Sequence, residues 1–130
     1  MAFDWNEYLG VATILKTETD GQPNSAVVEA KRRTAISRAY YSVYHSALVY
    51  ATTVLGYNPP LHNVSLHRAL QTKYKQQSGN TDHREVGKIL ARLHQYRVNC
   101  DYESRDQGNL QSLLSSVVLA VDRVNTILTQ

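Results

Sequence analysis

The sequence holds one cysteine, Cys100, in 130 residues, so no disulfide can form within a chain. A lone thiol fits a reducing compartment. The opening stretch Met1-Ala2-Phe3-Asp4-Trp5-Asn6-Glu7 lacks the basic and then apolar regions of an export signal. Both readings point to a cytoplasmic protein. No apolar run approaches the ~20 residues that span a bilayer, so no membrane partner is expected. Also missing are a Gly-rich phosphate loop, a Cys-x-x-Cys pair, a His-Glu-x-x-His and a Glu-x-x-His. Nothing therefore calls for a zinc site or a di-metal carboxylate core. His62 and His67 are five positions apart, which takes them off a common helix face. We expect no metal and no cofactor. His94 lies six positions before Cys100, about a turn and two-thirds away on a helix, so the thiol is expected to be a packed side chain rather than a nucleophile.

Phenylalanine and tryptophan are nearly absent, with one of each, yet tyrosine occurs nine times. Tyrosine suits half-buried seams, where the ring packs and the hydroxyl finds a partner. The pattern points to helix interfaces with polar content or to a dimer surface. The formal charge of +3 permits an RNA or nucleotide partner without demanding one. At 42% hydrophobic and 19% charged, the composition is that of a globular domain. A chain this long buries roughly two-thirds of its unfolded surface.

Proline and glycine mark the joints: Gly21-Gln22-Pro23-Asn24, then Gly56-Tyr57-Asn58-Pro59-Pro60, then Gln77-Ser78-Gly79-Asn80, and a weaker one at Gly108. Between them the apolar spacing is helical. Trp5, Tyr8, Leu9, Ala12 and Leu15 form one stripe. A second helix is expected from about Ser25 to Leu55, with two apolar faces. One holds Val27, Ala30, Tyr41, Leu48 and Leu55; the other holds Ile36, Tyr40, Val43, Ala47, Tyr50 and Val54. So wide an arc means a central helix touched on two sides. A shorter helix follows from near Ser65 to Gln77. The fourth is expected to begin at Asp82, with Glu85 reaching back as a capping box, and its stripe is Val86, Ile89, Leu90, Leu93, Arg97 and Cys100. The last carries Leu110, Leu113, Leu114, Val117, Val121, Val124 and Leu128. With no strand alternation and short joints, the expected fold is all-α: an antiparallel four- to five-helix bundle, one domain over residues 1–130.

Two stretches bear on function. One is Ala35-Ile36-Ser37-Arg38-Ala39-Tyr40-Tyr41-Ser42-Val43-Tyr44-His45-Ser46-Ala47, on the long helix. The other is Tyr96-Arg97-Val98-Asn99-Cys100-Asp101-Tyr102, near the end of the fourth. Together with Phe3-Asp4-Trp5 and with His67 after the proline joint, they resemble the HEPN family over about residues 3–102. The resemblance implies a small helical bundle that dimerises. In that family many members are metal-independent ribonucleases, and many act as toxins beside a nucleotidyltransferase-like (MNT) antitoxin; others bind nucleotides or serve as inactive scaffolds. Ribonuclease members use an Arg followed four to six residues later by His. Here Arg97 is followed by no His within six positions, and the pattern reads Arg-x4-Tyr, ending at Tyr102. By the same resemblance, Tyr102 is the residue an antitoxin would modify with nucleotide.

Cleaving RNA without metal needs a base for the 2′-hydroxyl, an acid for the leaving oxygen and a cation for the phosphorane. A guanidinium such as Arg97 suits the last, since it offers a fixed, permanently charged fork to phosphate oxygens. An imidazole suits the first two; a phenol, with an ordinary pKa near ~10, suits only donation. Arg97 and Asp101 stand four apart and should pair, whereas Arg97 and Tyr102 fall well apart on the wheel unless the helix ends between them. Arg38, Tyr41 and His45 form a polar stripe, read either as a hydrogen-bonded seam against the fourth helix or as a site in which His45 supplies the missing imidazole. Lys31-Arg32-Arg33 is expected to be a solvated face or an RNA-steering patch. The candidate catalytic residues are thus Arg97, Asp101 and Tyr102, and the candidate binding residues Arg38, Tyr41 and His45. The expected function is RNA or nucleotide binding in a homodimer, extending to a toxin-type endoribonuclease with an MNT-type partner. The alternative is a catalytically inactive HEPN scaffold or interaction module.

Overall fold

The computed structural model describes residues 3–62 and 64–130. Met1 and Ala2, the first positions of the stretch read for an export signal, lie outside them. Five helices follow in order: α1 (Asn6–Thr19), α2 (Ala26–Thr53), α3 (Leu66–Lys75), α4 (Thr81–Tyr102) and α5 (Leu110–Leu128). There is no strand among the described residues, as the periodicity requires. None of these helices is long and apolar enough to cross a membrane.

The starts of four helices are set by side chains that accept from the first-turn amides. Ser25 accepts from Val28, Ser65 from Arg68, and Asn109 from Ser112. The start of α4 differs from the expected capping box. Asn80 Oδ1 accepts from the His83 amide at 2.9 Å, so the helix begins before Asp82. Asp82 then lies in the first turn, near the positive end of the helix, and Glu85 reaches α5, where it accepts from Arg123 Nε at 2.8 Å. Gly79, with φ of 78°, turns the chain where an L side chain would be strained.

At 28 residues, α2 is about 42 Å long. It runs through the middle of the bundle, packing on α1, α4 and α5 and touching α3. Many of its buried positions are small: Ala35, Ser37, Ala39, Ser42, Ala47 and Ala51. Small side chains let neighbours approach closely on several sides, while Ile36, Tyr40, Val43 and Tyr44 fill the remaining space. Val27 and Val54 were expected on its apolar faces, yet both are exposed; they sit at the two ends of α2. The α4 stripe is buried at Val86, Ile89, Leu90, Leu93 and Cys100, and the α5 stripe at Leu110, Leu114, Val117, Val121 and Val124.

Three of the nine tyrosine hydroxyls make hydrogen bonds among the described residues. Buried Tyr74 on α3 donates to Ala47 O of α2 at 2.6 Å. Tyr40 is hydrogen-bonded to His67 Nδ1, and Tyr50 to His83 Nε2. These pairs carry polar content through the α2–α3–α4 seam at little cost in unmet hydrogen bonds.

Arg32 and Arg33 overturn the expectation of a solvated or RNA-steering face. Arg32 is 5% exposed, and its Nη2 donates to Thr19 O at 2.7 Å, Gln22 O at 3.1 Å and Gln111 Oε1 at 3.2 Å. Arg33 Nη1 donates to Cys100 O at 3.1 Å and Glu103 O at 2.6 Å, and Nη2 to Arg105 O at 2.9 Å. The last carbonyls of a helix have no partner within it and sit at its negative end. Arg32 meets that need for α1, and Arg33 meets it for α4.

Helix α3 is held mainly by α4, and the two come close at Gly87. A Cβ there would lie 2.8 Å from Lys75 Cγ and 3.0 Å from both Gln71 O and Lys75 N. Two of those three atoms are backbone and cannot yield without moving α3. Gly87→Ala should therefore destabilise by about 1–3 kcal/mol, against a helix-propensity gain of about 1 kcal/mol. Urea melts would show a lowered midpoint; an unchanged or raised one would mean the seam is looser than described.

Candidate functional site

Between α1, α2 and the end of α4 lies a groove of about 380 Å³, lined by Trp5, Tyr8, Ser37, Arg38, Tyr41, His45, Arg97 and Asp101. It gathers five of the six residues singled out from the sequence. The sixth, Tyr102, is 72% exposed at the last position of α4. Its ring centroid is 5.5 Å from the Arg97 guanidinium carbon, because the helix ends there and the ring folds back.

Arg97 and Asp101 pair as their spacing predicts, with Nε 2.9 Å from Oδ2 and side chains 13% and 29% exposed. The Nε–H does not point at that oxygen, so the contact is an ion pair without a formed hydrogen bond. Asp101 Oδ2 also accepts from Ser37 Oγ at 3.1 Å, which ties the end of α4 to α2. The Arg97 guanidinium lies 4.9 Å from the centre of the Tyr41 ring, within cation–π range. Neither of its terminal nitrogens makes a hydrogen bond among the described residues.

The stripe of Arg38, Tyr41 and His45 does not form a single seam against α4. Tyr41 meets Arg97, while the other two face the α1 side. The Arg38 guanidinium lies 4.8 Å from the centre of the Tyr8 ring. His45 stacks on Trp5 with centroids 3.6 Å apart and planes 13° from parallel. The difference arises because the 3–4 spacing points into the cleft between α1 and α4, not at either helix. Arg38 makes no ion pair and no hydrogen bond among the described residues, so its guanidinium is available to an anion.

The Trp5–His45 stack is also a wall of a second hollow, of about 670 Å³, bounded by Phe3, Val49, Tyr50 and Leu128 among others. That hollow is larger and mainly apolar. The guanidinium groups lie in the smaller groove, which is therefore the better candidate for anion chemistry.

Two imidazoles behind the groove were not among the candidate site residues, although His67 helped carry the family resemblance. His67 stacks on His94 with centroids 4.5 Å apart. Burial lowers the His67 pKa to about 4, with further lowering from His94, Arg97 and His45. Burial likewise lowers His94, followed by Arg97 and Arg68, and burial alone lowers His45. All three rings are thus neutral at pH 7. Tyr40 is pushed above the usual phenol range, mainly by burial, so its hydroxyl stays protonated in the hydrogen bond with His67 Nδ1. The i,i+3 spacing of His94 and Arg97 was the sequence signal for this cluster. The remaining members, Ser37, Trp5 and Tyr8, come from elements whose approach to α4 no local pattern reveals.

Burial pushes the Cys100 thiol up to about 11, despite opposition from Arg33; it is protonated and packed. Among the described residues, no three His, Cys, Asp or Glu side chains gather to hold a metal ion. No family model, curated protein or solved structure matches this chain. What defines it here is its all-helical bundle and a groove lined by arginine and aromatic side chains.

Two outcomes are expected. Because the folded His67 pKa lies below its ordinary ~6.5, the unfolded chain binds a proton first as pH falls. Stability from this site is fully present above about pH 6.5 and is lost between there and about 4. Urea midpoints should fall across that window, with a smaller fall in His67→Gln; equal slopes in the two proteins would remove His67 as the cause. Separately, Arg33→Ala should leave the last carbonyls of α4 uncapped and speed amide exchange over residues 99–103 several-fold. Unchanged protection there would mean that Arg33 does not secure the helix end.

Proposed function

We propose that this chain is a HEPN-like protein that binds RNA or a nucleotide in the Arg38–Arg97 groove. We further propose that it does so as a cytoplasmic homodimer, and that its sharpest form is a toxin-type, metal-independent endoribonuclease with an MNT-type partner. One observation carries the reading: two guanidinium groups from adjacent helices line one groove beside aromatic faces, and their terminal nitrogens have no hydrogen-bond partner among the described residues. Paired guanidinium forks match phosphate oxygens. Flat rings such as Trp5, Tyr8 and Tyr41 offer surfaces on which bases can stack.

In the nuclease form, the 2′-oxygen attacks phosphorus and the 5′-oxygen leaves. Arg97 stabilises the negative charge that builds on the phosphorane. His45, unprotonated at pH 7, takes the 2′-proton. The leaving 5′-oxygen needs a proton donor, and Tyr102 fills that role from its own subunit or from the partner across the dimer cleft. The exposure of Tyr102 also leaves its hydroxyl reachable by a modifying partner.

One observation favours the rival reading, an inactive interaction module. Asp101 already engages Arg97, and Ser37 holds Asp101, so Arg97 also serves the fold.

The test is binding and cleavage of a labelled structured RNA in chelator, with light scattering on the same samples. Arg38 has no hydrogen bond or ion pair to lose among the described residues, only its packing on Tyr8, so Arg38→Ala should stay folded and weaken binding roughly 10- to 100-fold, the worth of one charge-assisted contact. Arg97→Ala should abolish cleavage, and Arg97→Lys should restore part of the binding. If the wild type neither binds nor cleaves, and Arg97→Ala shifts dimer to monomer, the interaction module is the correct reading.

A further inference from the structure

Residues 61–102, which hold α3 and α4, carry seven lysines and arginines against three carboxylates, a formal +4. The rest of the chain carries seven against eight, a formal −1. The modest overall charge therefore hides a segregated one. Pairing sharpens the contrast. Outside the hairpin Lys16, Lys31, Arg33, Arg105 and Arg123 each lie within 4 Å of a carboxylate. Within the hairpin Arg84 donates to Gln77 O and Arg97 pairs with Asp101. Arg68, Lys73, Lys75, Lys88 and Arg92 have neither an ion pair nor a side-chain hydrogen bond among the described residues. All five are exposed except half-buried Lys73.

Their placement is ordered. Lys88 and Arg92 are four apart on α4 and share a face. Lys75 crosses the α3–α4 seam at Gly87. Arg68, at the opposite end of α3, lies near enough to His94 to depress its protonation, and His94 stands one turn from Arg97. Lys88 and Arg92 thus face the α5 side, where they line a cleft with Glu85 and Arg123, while Lys75 and Arg68 lie along the α3–α4 seam toward the back of the groove.

We propose that the α3–α4 hairpin is a docking track for the phosphate backbone of a single-stranded RNA several nucleotides long, part of which enters the Arg38–Arg97 groove. This rests on reading the groove as an RNA or nucleotide site and names which of the two it takes. From Arg68 to Lys75 the helix rises about 10 Å, before α4 and the groove are counted, so a free nucleotide leaves most of these charges unused. A chain with a phosphate at every residue meets them in succession. The groove, at about 380 Å³, admits an unpaired base but not a duplex. An acidic lipid surface engages an apolar face beside the cations. Exposed Leu66 at the start of α3 and Leu119 beside Lys88 and Arg92 make it the alternative that the vesicle arm tests. The aromatic faces of the groove favour a polynucleotide, whose bases stack on them.

The experiment uses an oligouridylate of about twelve nucleotides, 5′-UMP and phosphatidylserine vesicles. The proteins are the wild type, the groove variant Arg38→Ala and the track variant Lys73→Gln/Lys88→Gln/Arg92→Gln. Lys75 is left intact because its stem packs on Gly87. The track variant should bind the oligomer at least about tenfold more weakly at low salt. Its slope of log affinity against log salt should be shallower by about 2, from three lost contacts at ~0.7 each. Its UMP binding should be unchanged, and Arg38→Ala should weaken both ligands. Equal oligomer affinity and slope in wild type and track variant, with UMP and Arg38→Ala behaving as stated, would overturn the track alone. A wild type that binds neither oligomer nor UMP would overturn the groove reading and the track with it. Vesicle binding that the track variant loses, without RNA binding, would assign the hairpin to a lipid surface and also overturn the proposal.

Discussion

Two adjacent arginines on the central helix hold the ends of two other helices, and the rest of the bundle is arranged around that contact. Arg32 and Arg33 point to different sides of α2 because neighbours on a helix lie about 100° apart. Arg32 therefore meets Thr19 O at the end of α1 and Gln22 O just beyond it, and Arg33 meets Cys100 O of α4 and Glu103 O just beyond it. Each guanidinium replaces water at a helix end where several acceptors would otherwise go unmet. Neither charge is balanced chiefly by a buried carboxylate. The partial negative charge of the carbonyl cluster does that work.

The candidate site depends on this arrangement. With α4 ended where Arg33 collects its carbonyls, Asp101 falls opposite Ser37, and Arg97 falls over Tyr41. With α1 fixed through Thr19, its other end brings Tyr8 to Arg38, and Trp5 just before it to His45. The groove is the gap between two helices that α2 holds apart. Its cations are positioned by packing on rings, and Arg97 also by Asp101 through Nε, so their terminal nitrogens make no hydrogen bond among the described residues. A guanidinium already wrapped in carbonyls, like that of Arg33, has no such freedom. Arg33 and Arg38 are one residue type on one helix with opposite availability, and only their neighbours make the difference.

The same contrast explains why the overall charge is a poor guide. A formal +3 arises from an α3–α4 region rich in unpaired cations set against a remainder whose charges are largely matched. Electrostatic attraction for a polyanion depends on local, unneutralised charge and not on the sum. Three of the tyrosines form polar helix interfaces of the kind the composition points to. The hydroxyls of Tyr40, Tyr50 and Tyr74 meet His67, His83 and Ala47 O inside the chain, so these rings build the interior of one subunit.

Read alone, the sequence determined the five helices, their joints and most of the core, because apolar periodicity, glycine and proline are local signals that survive without tertiary context. It also determined the Arg97–Asp101 pair, since i,i+4 neighbours on one helix meet whatever surrounds the helix. The tertiary structure alone decided that Asn80 caps α4, that Arg32 and Arg33 are structural while Arg38 makes no hydrogen bond or ion pair among the described residues, and that Trp5, Tyr8 and Ser37 join Arg97. It also stacked His67 on His94 and placed both behind the groove. Those outcomes depend on which faces of α1, α3 and α4 turn toward α2. That choice is made by close packing of small residues and by carbonyls seeking donors, both of which couple positions up to about 70 residues apart.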